Sequence, residues 1–258
     1  MRLLAPALGL WVCATTAVAE PDIDRLIDAM GMPELIRAFS VEGEATGKTL
    51  DADFLGGQGG SVWAETVRKL YDPTRLERAL RIGVAETLDP DLARTALVFF
   101  DSDVGQRIVL LEVQAREAML DNDVAVMAKA AGAQSGAQVR DFIALRNLVE
   151  RNTDAGVSAQ NAFFDGFAQS TRSPMPAPDA EDLRDGIAAE TETWLLGYYA
   201  LTLSALSDED IDIYSDFWRT EVGAAVDDAI FEAFGDSYTT LSFALGQAVG
   251  LLMPADEL

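Results

Sequence analysis

Few of the side chains that most often carry out catalysis are present in this 258-residue chain. The sequence contains no histidine and a single cysteine, Cys13. Without histidine there is no Ser-His-Asp triad, no Cys-His pair, no HExxH zinc site and no imidazole proton relay. None of the three lysines has a serine three positions before it, and no Gly-x-Ser-x-Gly nucleophile elbow occurs. The sequence therefore excludes the commonest hydrolase chemistries.

Residues 43–49, GEATGKT, have the composition of a phosphate-binding P-loop but not its spacing. Three residues separate Gly43 from Gly47, whereas the motif requires four. The preceding segment, 35–40, has a helical pattern where the motif needs a strand. We therefore expect no nucleotide site at these glycines.

Alternating acids at Asp208, Asp210 and Asp212 resemble the start of a calcium-binding EF-hand loop. The loop would place Ile213 where glycine is required and Arg219 where a bidentate glutamate is required. These acids are therefore better interpreted as a helix start. The other alternating acid pairs, at 101/103 and 121/123, also lack the glycine and the distal acid that the loop requires. Weak calcium binding by the acidic surface stays open, as does a hydrolase or lyase that uses paired carboxylates.

The charge balance narrows the classes of partner. Acidic residues number 43 against 19 basic ones, which gives a formal net charge of −24. Nucleic acid and anionic membrane surfaces both require Lys and Arg to offset their negative charge. The chain is also 49% hydrophobic, which is too apolar for a disordered acidic tail. We expect a folded protein that does not bind nucleic acid.

The N-terminal segment 1–19 has the pattern of a secretory signal peptide. Arg2 is followed by an apolar run over 3–13, and small residues precede Ala19. Cleavage after Ala19 predicts a periplasmic or secreted protein without cysteine. The alternative, lipid attachment at Cys13, lacks the small residue that should precede such a cysteine. The later apolar stretch 239–253 is short for a membrane span and predicts a buried C-terminal helix.

Apolar residues recur with the 3.6-residue period of a helix in most long segments, whereas strand-like alternation is scarce. One stripe begins at Leu76 and includes Leu80 and Val84, and another begins at Trp194 and includes Tyr198 and Leu201. A less regular stripe from Ile108 to Met119 includes Glu112. Prolines, glycines and capping residues divide the chain into about ten helices. The predicted fold class is all-α, a helical bundle.

A shift of 118 residues aligns the two regular stripes without a gap over about 30 positions. The shift carries 88–105, LDPDLARTALVFFDSDVG, onto 206–223, LSDEDIDIYSDFWRTEVG. The shared order of an aromatic pair, a hydroxyl, an acid, a valine and a glycine favours an internal duplication. We therefore predict two related helical units, 20–130 and 137–253.

Each copy of this block predicts a helix, a sharp corner and a second helix. The aromatic pair ends the first helix, the hydroxyl caps the second, and the acid lies in its first turn. A glycine inside a helix costs about 1 kcal/mol, so its presence predicts a close approach to the preceding helix. We assign these residues a structural role: Phe99, Phe100, Ser102, Asp103 and Gly105 in the first copy, and Phe217, Trp218, Thr220, Glu221 and Gly223 in the second.

The first copy, 88–106, resembles the bacterial family called domain of unknown function 2059, and 206–223 resembles it as a diverged copy. The resemblance covers about half of the chain. Asp103 and Glu221 stand where the family pattern has a proline. The resemblance implies a secreted or periplasmic helical protein, and it brings no catalytic residue.

Together these observations predict an exported, non-catalytic protein that binds a protein or peptide partner or maintains the cell envelope. The sequence assigns it no catalytic residue, no cofactor and no metal ligand. The carboxylate enzyme and a holdase-like chaperone remain alternatives. Aromatic residues such as Trp63, Trp194 and Trp218 fall on or near the apolar stripes, which favours packing in the core over a ligand groove.

Overall fold

The computed structural model describes residues 21–171 and 180–253, and within these ranges the protein is built from α-helices without a strand. The fold class is therefore all-α, as the sequence predicts. Twelve helices lie in the described part, somewhat more than the ten or so expected. The first six are α1 (Pro21–Ala29), α2 (Met32–Phe54), α3 (Gly60–Leu70), α4 (Pro73–Thr87), α5 (Pro90–Phe100) and α6 (Asp103–Ala118). The others are α7 (Asn122–Ala133), α8 (Ala137–Leu145), α9 (Leu148–Thr171), α10 (Ala180–Ser204), α11 (Asp208–Arg219) and α12 (Glu221–Leu252). The predicted signal peptide and the prolines at 174–178 lie outside the described residues.

Helix starts follow local sequence signals closely. The side chains of Asp72 and Asp89 each accept a backbone N–H, and a proline begins each of the helices that follow, α4 and α5. Ser207 caps α11 by accepting the N–H of Asp210. A side-chain oxygen at this position satisfies one of the N–H groups that a helix leaves unpaired. These caps explain why the boundaries at the prolines could be predicted.

Helices α9 and α12 form the most extensive helix pair of the molecule. A Cβ added to Gly166 would lie 2.1 Å from the carbonyl oxygen of Phe243, and one added to Gly246 would lie 1.9 Å from that of Phe163. The two backbones therefore approach more closely than any side chain permits. The apolar stretch 239–253 is not a separate helix: it is the C-terminal half of α12, and Leu245 and Val249 are buried there.

The C-terminal part of helix α10 runs through the interior. Five consecutive residues, 195–199, are buried, so this part of the helix is covered on all sides. Its Gly197 packs against α7, where a Cβ on Gly132 would lie 2.5 Å from the backbone nitrogen of Gly197. The missing side chains allow the two helices to pack backbone against backbone.

The principal core takes buried side chains from both predicted units. Phe100 and Ile108 from the first half lie in the same apolar cluster as Phe142, Tyr214 and Val226 from the second. A smaller cluster joins α2 and α3 to α9 and α12, with Trp63 and Phe167 among its members. Both halves of the chain therefore contribute to each of these clusters.

Candidate functional site

The first corner, residues 99–105, links α5 to α6 by a dense set of local contacts. The hydroxyl of Ser102 accepts the N–H of Gly105 at 3.1 Å and donates to the carbonyl oxygen of Phe99 at 2.7 Å. A Cβ on Gly105 would lie 2.2 Å from that same carbonyl oxygen. Phe100 is buried, whereas Asp103 is exposed in the first turn of α6. Gly105 is therefore required by the close approach of the preceding helix end.

The second corner, residues 217–223, repeats this geometry between α11 and α12. The hydroxyl of Thr220 accepts the N–H of Gly223 at 2.9 Å and donates to the carbonyl oxygen of Phe217 at 2.7 Å. A Cβ on Gly223 would lie 2.3 Å from that oxygen. Trp218 is buried and Glu221 is exposed in the first turn of α12. The two corners therefore use the same hydrogen bonds and the same close contact.

The two corners also pack against each other through their aromatic pairs. The rings of Phe99 and Phe217 stack with centroids 4.4 Å apart and an interplanar angle of 10°. Phe100 meets Phe217 edge to face at 5.2 Å and Trp218 at 6.3 Å. The structure thus brings together the aromatic residues singled out in the sequence. In both corners the hydroxyl oxygen accepts the N–H of the glycine and so caps the second helix, while the aromatic rings pack against each other.

The two near-miss motifs lie inside helices. Gly43 and Gly47 are buried in α2, where the Tyr71 ring and Val67 occupy the space that side chains would fill. Asp208 and Asp210 lie in the first turn of α11 behind their Ser207 cap. The two glycines therefore allow close helix packing, and the two aspartates place negative charge at the positive end of the helix dipole.

A buried ion pair that the sequence analysis did not identify connects α8 with α12. Arg146, which follows α8, donates to Asp227 at 2.5 Å and to the hydroxyl of Tyr199 at 3.2 Å. Asp227 is 4% exposed. The guanidinium lies 3.8 Å from the centroid of the Trp218 ring, whose Nε1 has no hydrogen-bond partner among the described residues. The second corner therefore packs directly on this ion pair.

Glu112 on α6 contributes a second polar contact to the same region. Its carboxylate accepts a hydrogen bond from the hydroxyl of the fully buried Tyr214 at 2.7 Å. The residue as a whole is half-buried. Burial raises the pKa of Glu112 above its usual value, against the opposing effects of Arg146 and the Tyr214 hydrogen bond. In the sequence, the only sign of this polar contact is that a glutamate, Glu112, lies within the apolar stripe that begins at Ile108.

An open groove, here called the aromatic groove, lies between α2, α6, α7, α9, α10 and α12. Its volume is about 910 Å³. Its lining residues include Phe39, Arg116, Ile187, Trp194, Phe234 and Tyr238. Trp194 is half-buried in this wall, in contrast to the core position that the stripe predicts. Trp63 and Trp218 are buried, as expected.

Two of the four charged side chains that line the groove, Arg116 and Glu42, are paired with each other. Arg116 forms a two-pronged ion pair with Glu42 and also lies over the Trp194 ring, 4.8 Å from its centroid. Tyr198 stacks on Trp194 at 5.0 Å. Burial, together with the nearby Glu42 carboxylate, raises the pKa of Tyr238. These contacts hold Arg116 and Glu42 against Trp194 on one wall of the groove.

Two further properties concern the described residues only. No three Asp, Glu, His or Cys side chains there lie close enough together to hold a metal ion. Within 21–171 and 180–253, no helical segment combines the length and the hydrophobicity of a membrane span.

Comparison of the chain with family models, with curated proteins and with solved structures gives no significant match. The resemblance to the domain of unknown function 2059 family therefore stays a prediction made from the sequence.

Proposed function

We propose that the chain is an exported, non-catalytic protein that binds a protein or peptide partner in the aromatic groove. The groove itself is the observation that carries the proposal. It is an open groove of about 910 Å³ whose walls carry aromatic side chains from α2, α10 and α12, and exposed aromatic rings are common on surfaces that bind proteins.

An internal duplication would explain where the groove lies. The 118-residue shift carries α1 and α2 onto 139–147 and 150–172, which coincide closely with α8 and α9. It carries α5 onto 208–218, close to α11, and places the first corner on the second. Glu42 then corresponds to Gln160, and Arg116 corresponds to Phe234, all of which line the groove. We propose that the groove lies between two related units, a common place for binding sites.

Export to the periplasm or the medium is the second part of the proposal. The signal-peptide pattern of 1–19 supports it, and so does the implied membership of the domain of unknown function 2059 family. Fractionation of cells that produce the full chain, followed by mass spectrometry of the N-terminus, tests this part. A mature protein that begins at Glu20 is expected. Recovery of the uncleaved chain from the cytoplasm would overturn it.

The binding proposal is tested with a photo-crosslinking amino acid placed in the groove of the full chain. Phe234 is suitable because it lines the groove and is 37% exposed. Val98, which is 77% exposed on α5 and does not line the groove, provides the matched control. Irradiation of living cells should give discrete crosslinked products from position 234 and none from position 98.

The pattern of products separates the alternatives. A small number of products from position 234 supports a specific binding protein. A continuous smear of many partners would instead indicate a holdase-like chaperone. No product from position 234, or equal products from both positions, would contradict binding in the groove.

A further inference from the structure

A second pocket, here called the α8–α10 pocket, lies apart from the aromatic groove. Its volume is about 290 Å³, and none of its lining residues lines the groove. It forms where α8 ends and α9 begins, and α10 completes its wall. Asn147 turns the chain between α8 and α9 in the left-handed region, at a φ of 51°. Asparagine adopts this conformation more readily than most residues, so the turn brings the ends of both helices to the same pocket.

The floor of the pocket is apolar. Ile143, Leu148 and Leu196 line the pocket, and all three are buried. They belong to α8, α9 and α10, so three helices meet at this floor. Contact between these residues and an aliphatic group of a ligand would remove apolar surface from water, which favours binding.

Two side chains of opposite charge stand at the rim of the pocket. Arg140 on α8 and Glu192 on α10 both line it, and both are exposed. Arg140 precedes Ile143 by three residues, and Glu192 precedes Leu196 by four. Residues at these intervals lie on the same face of a helix. The two charges therefore come from different helices, and each borders the apolar floor.

Neither of these charges is used by the protein itself. Among the described residues, Arg140 and Glu192 form no hydrogen bond and no ion pair, either with each other or with another group. Most arginines in that part of the chain do form an ion pair, as Arg146 and Arg151 do. The pocket therefore presents a free guanidinium and a free carboxylate.

A ligand that satisfies both charges carries a carboxylate and an ammonium group. The planar guanidinium of Arg140 can donate two parallel hydrogen bonds to a carboxylate. The carboxylate of Glu192 can accept hydrogen bonds from an ammonium group, which has three N–H donors. A molecule with only one of these groups would leave one charge of the pocket without a partner. A free α-amino acid carries both groups on neighbouring atoms.

The volume of the pocket limits the size of this ligand. A water molecule occupies about 30 Å³ in the liquid, so about 290 Å³ has room for roughly ten non-hydrogen atoms. Ligand sites more often have volumes of about 300–1,000 Å³, so this pocket is at the small end of the range. Leucine, isoleucine and valine are molecules of the size that fits, and their side chains match the apolar floor.

We infer that the α8–α10 pocket binds a free aliphatic α-amino acid in its zwitterionic form. Arg140 holds the carboxylate and Glu192 holds the ammonium group. Ile143, Leu148 and Leu196 contact the aliphatic side chain. This inference goes beyond the proposed binding of a protein or peptide partner, and it does not depend on the aromatic groove.

Titration of the isotope-labelled full chain with L-leucine, followed by NMR chemical shifts, tests the inference. The amide signals of Asn147 and Leu148 should shift and reach saturation. Glycine should bind at least about tenfold more weakly, because it lacks the side chain that contacts the floor. Isocaproate lacks the ammonium group and isoamylamine lacks the carboxylate, so each should also bind at least about tenfold more weakly than leucine.

Variants of the two charged residues identify the site of binding. Arg140→Gln and Glu192→Gln should each weaken leucine binding by about fivefold to tenfold. Thermal unfolding of both should match that of the wild type, because neither side chain has a partner within the described ranges. Arg78→Gln and Glu209→Gln are the matched controls, since both residues are exposed, form no ion pair with the described residues and do not line the pocket. They should leave leucine binding unchanged.

Three results would overturn the inference. These are no saturable shift at the solubility limit of leucine, isocaproate that binds as tightly as leucine, and an Arg140→Gln variant that binds leucine as the wild type does. None of them bears on the in-cell crosslinks at position 234, because that residue does not line the α8–α10 pocket.

Discussion

Single glycines fix the geometry of the two corners, and their replacement gives a direct stability test. Gly105→Ala and Gly223→Ala would each bring a methyl group within 2.3 Å of a backbone carbonyl oxygen. We expect each to lower the free energy of unfolding by about 1–3 kcal/mol or more, the usual cost of overpacking. Gly186→Ala is the control, since that exposed position on α10 has open space around it and should gain up to about 1 kcal/mol. Chemical denaturation of the three variants measures the difference; equal effects would contradict the close-contact explanation.

The buried ion pair between Arg146 and Asp227 should be far more sensitive than an exposed one. Asp227→Asn removes the charge that pairs with the buried Arg146 and with the less buried Arg151, and we expect a loss of about 3–5 kcal/mol in unfolding free energy. Asp216→Asn breaks the exposed pair with Arg219 and should cost less than about 1 kcal/mol. Urea denaturation of both variants distinguishes them. A similar small effect for both would show that Arg146 readily finds another partner.

Glu112 should give the protein a pH dependence of a definite sign. Its pKa is higher in the folded protein than in the unfolded chain, so folding favours the protonated carboxyl. The resulting penalty is absent below the unfolded pKa of about 4.3 and develops as the pH rises through the folded value. Glu112→Gln should therefore be more stable than the wild type at neutral pH, with the difference vanishing near pH 4. Unfolding free energies measured across this range test the sign, and an advantage that grows as pH falls would reverse it.

At the scale of helices, the packing of α9 on α12 depends on their reciprocal glycines. Gly246→Ala would place a methyl group 1.9 Å from the carbonyl oxygen of Phe163, so the helices must separate. Gly235→Ala on the same helix meets open space and should stabilise α12 slightly. We expect the melting temperature of Gly246→Ala to lie below that of the wild type and that of Gly235→Ala to lie slightly above it. Equal shifts in melting temperature for the two variants would mean that α9 and α12 tolerate a wider separation.

Helices and corners could be predicted from the sequence because their signals are local. Ser102 and Thr220 cap their helices through residues three positions away, and Pro73 and Pro90 begin helices beside their own caps. The glycine contacts between α9 and α12 were missed because each glycine is explained by a residue about 80 positions away. The ion pair at Asp227 and the aromatic groove also depend on which helices become neighbours. Only Glu112, a carboxylate within an apolar stripe, left a local signal.

For the whole molecule, the way in which the two halves share a core leads to a prediction about folding. Phe99 stacks on Phe217, and the principal cluster contains Phe100 and Ile108 together with Tyr214 and Val226. A fragment that ends at residue 134 would expose one side of each of these contacts to water. Burial of apolar surface is the main favourable contribution to folding, so neither 21–134 nor 135–253 should unfold cooperatively when produced alone.

Mixing the two fragments should restore the contacts that each lacks. We expect circular dichroism to show a gain in helicity on mixing and a single cooperative melting transition, which neither fragment shows alone. Phe217→Ser in the second fragment is the informative variant, because it removes the ring that stacks on Phe99 while leaving the Thr220 cap in place. This variant should weaken complementation. Cooperative melting of an isolated fragment would instead show that each half encloses a sufficient core by itself.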